Sequence, residues 1–442
     1  MKQLFNLIIQ HRFYAAACMV GTAVTLAFVM VVVMVYDLRT ADVAPETERS
    51  RMLYHTGTQC MRSDGTNMMG YRGLGPVAFD ALYGGLPGVD TLTWHGGLQQ
   101  ALCSLPASSD RRSVFLRPVA ANWFSFFRYD FVAGRPFTQA EYDAGRAAFQ
   151  ESEDEWRSYR SQADGVARRF VVITEHLARQ LFGEAGRAVG GEMLLDFQPV
   201  RVAGVVRDVS SVFQTAYAEV WEPFTLLNER EQYAVKETGG LIGYHYPVMR
   251  MKKDARADDI RAEISRRMDR LNQSSGGEYV LSDPQIHTHT EYTFFRGSSI
   301  DARLVYVLLL VVLLVVPAVG ISGLVHAQMQ GRLSEIAIRK AYGATDADII
   351  GRLFLESLGT TLTGGLLGYG LSCLLVVAGS TWLFGTGGVE ASGIVLGGDL
   401  LFRPVLFGAV LLACLVFNAL STLLPAWIAV RRNIAFTLVG GE

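Results

Sequence analysis

Four long apolar stretches constrain this chain more than any other feature of it. They run from about Phe13 to Tyr36, from Leu304 to His326, within Leu358–Leu383 and within Val405–Val430. Each is long enough to cross a bilayer as a helix, the one single-segment structure that satisfies all of its own backbone polar groups in lipid. The first carries no charge and lacks a small-residue cleavage site before a polar start, so it reads as an uncleaved anchor. The expected fold is a membrane protein with four transmembrane α-helices and a large α+β extracytoplasmic domain between the first and second. The divisions are 1–36 (an N-terminal helix and the first span), 37–303 (the exported domain) and 304–442 (the remaining spans).

Short flanks set orientation, because long loops cross regardless of charge. Outside 37–303 there are nine Lys or Arg, and eight of them (Lys2, Arg12, Arg332, Arg339, Lys340, Arg352, Arg431, Arg432) lie at the two ends or in the second-to-third connection. Only Arg403 lies in the third-to-fourth connection. Both termini are therefore expected in the cytoplasm and the large domain outside. The formal net charge of −2 implies no bulk attraction to nucleic acid. No Asp, Glu, Lys or Arg sits deep in a span, with Glu356 near the inner edge, which argues against an ion-coupled carrier. Leu4, Phe5, Ile8 and Arg12 have helical spacing and suit either the inner membrane surface or a continuation of the first span. Pro317, Gly320 and Gly323 suggest a kink and close approach in the second span. Gly364-Gly365-Leu366-Leu367-Gly368 is a GxxxG pattern that lets helix backbones approach in the third.

The exported region opens with a charged linker, Asp37–Arg51, containing Pro45. Short apolar runs broken by Gly and Pro follow, the pattern of strands and turns. RFVVIT reads as a strand, and EHLARQLF as a helix with Leu177, Ala178 and Leu181 on one face and a stop at Gly183. EMLLDF and PVRVAGVVRDV read as a strand pair bent at Pro199. YPVMRMK reads as a strand, followed by a helix over Ala257–Leu271 with Ile260, Ile264, Met268 and Leu271 as its buried stripe. The polar segment Ala140–Gly165 reads as an inserted helical arm or a loop.

The sequence contains no GxxxxGK[ST] phosphate loop, no GxSxG elbow and no HExxH helix, so ATP hydrolysis and common hydrolase chemistry are not expected of these residues. His287, His289 and Glu291 alternate on an expected strand and could face one way, as a solvated face or, less readily, as a metal site of undiagnostic spacing. Of the five cysteines, Cys18, Cys373 and Cys414 lie in spans as small apolar residues. Cys60 and Cys103 are both exported and are either bridged or two free thiols.

Between the second and third spans lies RLSEIAIRKAYGAT, Arg332–Thr345. As a helix it places Arg332, Glu335 and Arg339 on one arc, with Glu335 four residues before Arg339. Leu333, Ile336, Ala337 and Ala341 form one apolar arc, and Ile338 with Tyr342 a second. Gly343 supplies a stop, and Thr345 with Asp348 a capping box for the next helix. Two readings stand on physics alone: an interfacial loop helix, or a docking surface for another protein.

This run resembles the cytoplasmic motif of FtsX-like ABC transporter permeases of the MacB type, through Glu335, Ile336, Ala337, Ile338, Arg339, Lys340, Ala341, Gly343 and Ala344. Phe124, Phe127, Gly134, Arg135 and Phe137 resemble the family's "F … G-R-x-F" segment. Phe182-Gly183 with Gly190, then Gly204, Val205, Val206 and Asp208, and Pro425, Ala426, Ala429 and Arg431 resemble further segments in the family's order. The tail NIAFTLVGGE departs from the family's ending, and the 140–165 insert is longer than the family's. The resemblance implies a multi-pass inner-membrane permease subunit with a MacB-like periplasmic core domain. It implies no cofactor in this chain, ATP being bound by a partner. It implies as partners a separate ABC ATPase subunit, a second permease copy (the same or a related chain), membrane lipid and a periplasmic protein. Arg332, Glu335, Ile336, Ile338, Arg339, Lys340, Tyr342 and Gly343 are the implied ATPase-coupling residues. The implied function is transmission of the ATPase cycle through the membrane for export or efflux. The alternatives are a membrane-anchored sensor or binding module, or an ATPase-driven regulator of cell-wall hydrolases.

Overall fold

The computed structural model describes residues 12–65, 68–106, 108–143, 169–224, 235–275, 277–295 and 342–379, with scattered positions at 304, 307–308, 311–312, 338, 404–405, 407–413 and 415–416. The chain divides into two compact units, Met1–Arg39 with Ser298–Glu442, and Thr40–Gly297. Sequence expectations for residues 1–11, for Pro317, Gly320 and Gly323, for residues 144–165 of the insert and for the C-terminal tail lie outside the described residues.

In chain order, helix α1 (Arg12–Thr40) is followed by β1 (Met52–Arg62), β2 (Met68–Leu74), α2 (Pro76–Tyr83), β3 (Val89–His95), β4 (Gln99–Ser104), β5 (Arg112–Val119), α3 (Trp123–Phe126) and β6 (Phe131–Gly134). After the insert come β7 (Phe170–Thr174), α4 (Glu175–Phe182), α5 (Ala185–Ala188), β8 (Glu192–Leu195), β9 (Gln198–Val206) and β10 (Val220–Pro223). β11 (Ile242–Gly243), β12 (Tyr246–Met251), α6 (Ala257–Ser275), β13 (Tyr279–Thr288) and α7 (His289–Phe295) complete the outer unit, and α8 (Asp346–Ala378) belongs to the other.

The strands of the outer unit form one hydrogen-bonded network around two hydrophobic cores. In the first, β1 pairs antiparallel with β12, β13 and β2, and β12 continues to β3. Helices α2 and α6 supply Phe79, Leu82, Ile260, Ile264 and Met268 to the core beside Leu53, Leu281 and Ile286 of the strands. Full burial of such a side chain contributes about 1.5–3 kcal/mol, so the 3.6-residue stripe on α6 suffices to hold it down. The helix runs four residues beyond its expected end at Leu271, to Ser275.

The second core lies in a ring of strands. β5 pairs with β4, β4 with β8, β8 with β9, β9 with β7, β7 with β10, and β10 returns to β5. Closure leaves these six strands paired on both sides, which removes the exposed edges that invite aggregation. Val171, Ile173, Val205 and Val220 are buried with Leu177 and Ala178 of α4. The Thr174 hydroxyl caps α4 by accepting from the Leu177 amide, and Gly183 ends it at φ 79°. The β8–β9 reversal falls at Asp196 and Phe197, φ 48° and 67°, and not at Pro199, which sits inside β9 opposite Leu194. The Asp196 side chain holds this left-handed turn by accepting from the Leu102 amide at 2.8 Å, while its own amide donates to the Leu102 carbonyl.

In the other unit, Thr345 and Asp348 form the expected capping box, and α8 extends 33 residues from it. Gly368 faces α1 of the same chain, where a Cβ would lie 2.7 Å from the Ala23 carbonyl oxygen, and Gly365 lies between Leu411, 2.6 Å from such a Cβ, and Leu26 of α1 at 3.6 Å. Ser372, fully buried, continues that face beside Met34, whereas Leu366, Leu367 and Leu374 point outward. The GxxxG pattern thus serves contact within one chain. Among the described residues no helix is long and apolar enough to cross a membrane; the α1 and α8 side chains are described only in part.

Two outcomes test these features. Gly368→Val should lower the thermal midpoint of the detergent-solubilised chain, because the added methyls meet α1 backbone rather than a movable side chain; an unchanged midpoint would remove this contact. His55 is enclosed between the Tyr83 hydroxyl at 2.7 Å and the Thr58 hydroxyl at 2.9 Å, and burial, with His287 nearby, lowers its pKa to about 3. The unfolded chain therefore takes up a proton near pH 6.5 that the fold refuses, so stability falls by about 1.4 kcal/mol per unit as pH drops from there toward 3. His55→Gln should flatten the pH dependence of the midpoint between pH 6 and 4 by that one-proton slope.

Candidate functional site

The outer unit has two chain connections, Thr40–Arg51 at its start and His289–Gly297 at its end. The first is the charged linker expected from sequence, and two of its charges, Glu46 and Arg49, are buried against one another. Glu46 and Arg49 are 2% and 1% exposed and paired at 3.0 Å. Arg49 also donates to the Ala41 carbonyl at 2.8 Å and stacks over Phe213 at 5.0 Å. The second Glu46 oxygen accepts from the Ala216 amide at 3.0 Å. A buried pair of this kind is tolerated only when its remaining lone pairs and protons find partners, and here they do. The Glu-x-x-Arg spacing was visible in sequence, yet most such pairs lie on the surface, so it did not mark this one as buried.

The second connection meets the first at Tyr54 of β1. The Tyr54 ring stacks on Tyr292 at 4.6 Å and 11°, and its hydroxyl lies 3.0 Å from His289 Nδ1. Burial, with Glu46 adding to it, pushes the Tyr54 hydroxyl well above its usual range. Here the expected alternation of His287, His289 and Glu291 fails. β13 ends at Thr288 and α7 begins at His289, so the three do not share a strand face. His289 turns inward to Tyr54, while Glu291 caps α7 through the Thr288 amide at 2.7 Å and pairs with Arg261 of α6. Thr288 and Glu291 are a capping box that the strand reading concealed. Among the described residues no cluster of His, Cys, Asp or Glu could hold a metal ion.

Cys60 and Cys103 are free thiols, so the bridge entertained from sequence is not formed. Cys60 is buried in the first core and Cys103 in the second. Burial pushes each thiol up to about 11, which keeps both protonated and unreactive.

Of the coupling residues implied by resemblance, Ile338, Tyr342 and Gly343 are described; Arg332, Glu335, Ile336, Arg339 and Lys340 lie outside the described residues. The Tyr342 amide donates to the Ile338 carbonyl at 3.1 Å, one helical turn apart. Gly343 follows at φ 89°, a left-handed stop that glycine adopts without strain. Ile338 and Tyr342 are 50% and 89% exposed. The turn is held from both sides, with an apolar and an aromatic side chain uncovered on it.

At the outer unit's base, Tyr292→Ala should destabilise the chain by about 3 kcal/mol and Tyr54→Phe by about 1 kcal/mol, since the second keeps the stack and loses one hydrogen bond. Thermal or denaturant unfolding of the two variants checks the order, and equal losses would contradict it.

Residues 15–267 match the model of the MacB-like periplasmic core domain, and residues 307–434 that of the FtsX-like permease C-terminal domain. The macrolide export ATP-binding/permease protein MacB of Burkholderia cenocepacia (strain HI2424) is 28% identical over 240 residues, 50% of this chain and 31% of that protein. The MacB of Shigella boydii serotype 4 (strain Sb227) is 25% identical over 325 residues, 73% of this chain and 42% of that protein. The matched stretches thus span less than half the length of these relatives. The periplasmic region of MacB from Actinobacillus actinomycetemcomitans aligns with 56% of this chain and 93% of its own at 12% identity, with a TM-score of 0.35 that is too low to bear on the fold. With both halves matched in order, the chain belongs to the FtsX-like, MacB-type family of ABC transporter permeases.

Proposed function

We propose that this chain is the permease subunit of an ABC transporter in the inner membrane, passing motion from a cytoplasmic ATPase to its periplasmic domain to export a substrate from the membrane or periplasm. Four transmembrane helices, with both termini cytoplasmic, carry that motion; α1 and α8 belong to the first and third. ATP is bound by an ABC ATPase subunit, since residues 1–442 contain no phosphate loop. A second permease copy completes the complex.

The observation that carries this reading is the uncovered Ile338–Tyr342 pair. A tyrosine 89% exposed beside an exposed isoleucine, on a turn held by Gly343 and the Thr345–Asp348 box, is a preorganised aromatic anchor. Such anchors are enriched where one protein seats in a pocket of another. Arg332, Glu335, Ile336, Arg339 and Lys340 belong to the same motif in sequence and are proposed as further coupling residues. The family's relatives named above are macrolide exporters, which supports export as the activity.

The test is affinity purification of the full chain in mild detergent from cells expressing its native ABC ATPase. Wild type should retain the ATPase, and the double variant Ile338→Glu, Tyr342→Glu should retain at least tenfold less, because two buried carboxylates would desolvate at the contact. Failure of wild type to retain any ABC ATPase, or equal retention by the variant, would overturn the proposal.

A further inference from the structure

Resting on that reading, the outer unit needs a path along which movement of α1 reaches its second core. The chain itself runs from α1 through residues 40–51 into β1, and so into the first core only. The ring of the second core joins the first through a narrow strand contact, the β3–β5 pairing at His95 and Val119. A direct tie from the start of the unit to the ring passes instead through Glu46.

The segment between β9 and β10 is where that tie lands. Val209–Ala218 is buried nearly throughout, unusual for a connection that carries so many backbone polar groups. Those groups are met one by one. Arg117, 4% exposed on β5, donates to the Tyr217 carbonyl at 3.1 Å and the Gln214 carbonyl at 3.0 Å. The Tyr129 hydroxyl donates to the Ala216 carbonyl at 2.6 Å and accepts from Trp123 Nε1 at 3.0 Å. The Ala216 amide donates to Glu46. From Glu46 the path continues through Arg49 to the carbonyl of Ala41, one residue beyond the end of α1. The final connection, by contrast, is gripped by the first core, through His289 to Tyr54 and Glu291 to Arg261.

We infer that Glu46 is a positioning residue: its carboxylate bridges Arg49 and the Ala216 amide, and so makes displacement of α1 shift the ring relative to the first core. The first connection is thereby tied to both cores, through Glu46 to the ring and through Arg51 and Glu48 to Met251 and Arg250 of β12, so force arriving along α1 reaches the ring directly as well as through β1. A carboxylate is required because both oxygens accept. An amide has one acceptor oxygen, so Glu46→Gln must turn its NH₂ toward either the Arg49 guanidinium or the Ala216 N–H, donor against donor.

The experiment uses the full chain reconstituted with its ABC ATPase, with spin labels at Arg187 on α5 and Asp269 on α6. The distance between labels is measured without nucleotide and in the ATP-vanadate state. Wild type should show a nucleotide-dependent shift. E46Q should lose at least half of it with basal ATPase rate within twofold of wild type, and Glu46→Asp should recover part of it. Tyr129→Phe, which cuts the bond to the carbonyl of the same residue, Ala216, without stranding a buried charge, should reduce the shift in the same direction and serves if E46Q does not fold. A full shift in the variants would overturn the role of Glu46 and leave the proposed coupling standing. No shift in wild type would overturn the coupling itself.

Discussion

The antiparallel pairing of β1 with β13 is the constraint on which the outer unit depends. It places Leu53 opposite Thr288 and Tyr54 opposite His287, bringing the beginning and end of a 258-residue unit side by side. Closing a loop of that length costs several kcal/mol of chain entropy, and the cost grows only slowly with length. A register of eight paired positions, the Tyr54–Tyr292 stack and the shared first core oppose it. With the two connections joined there, the unit begins and ends at one place.

Buried polar groups do the remaining fixing. Glu46, Arg49, Arg117 and His55 sit in places where an unmatched hydrogen-bonding group would cost more than most single apolar contacts contribute. Each has partners at 2.7–3.1 Å. Such groups tolerate few alternative arrangements, because moving one strands another. Apolar contacts in the two cores set how tightly the unit holds together, and these ties fix which segments lie against one another.

How much was legible follows from how local each signal was. The α6 stripe, the α4 helix with its Gly183 stop and the Thr345–Asp348 box each depend on residues within two turns of one another, and sequence reading placed them. Other features rest on distant partners that no local pattern shows. Glu46 and Arg49 read only as part of a charged linker, because their burial depends on Ala216 and Phe213, some 170 residues away. Pro199 looked like the bend because prolines often end strands, whereas Asp196 secures the reversal through the Leu102 backbone. The His287–Glu291 alternation hid a helix start that Tyr54 and Arg261 hold from other elements.

By itself, then, the sequence determined the apolar segments, the single large domain between the first two, the helix caps and the motif that ends at Gly343, all set by solvation and by bonds within a few residues. The tertiary structure alone decided that six strands close into a ring, that Cys60 and Cys103 lie in separate cores, that Gly368 of α8 faces α1, and that a charged linker is an interior tie. Each of those depends on partners far away in sequence, whose arrival changes whether a side chain meets water or another protein group.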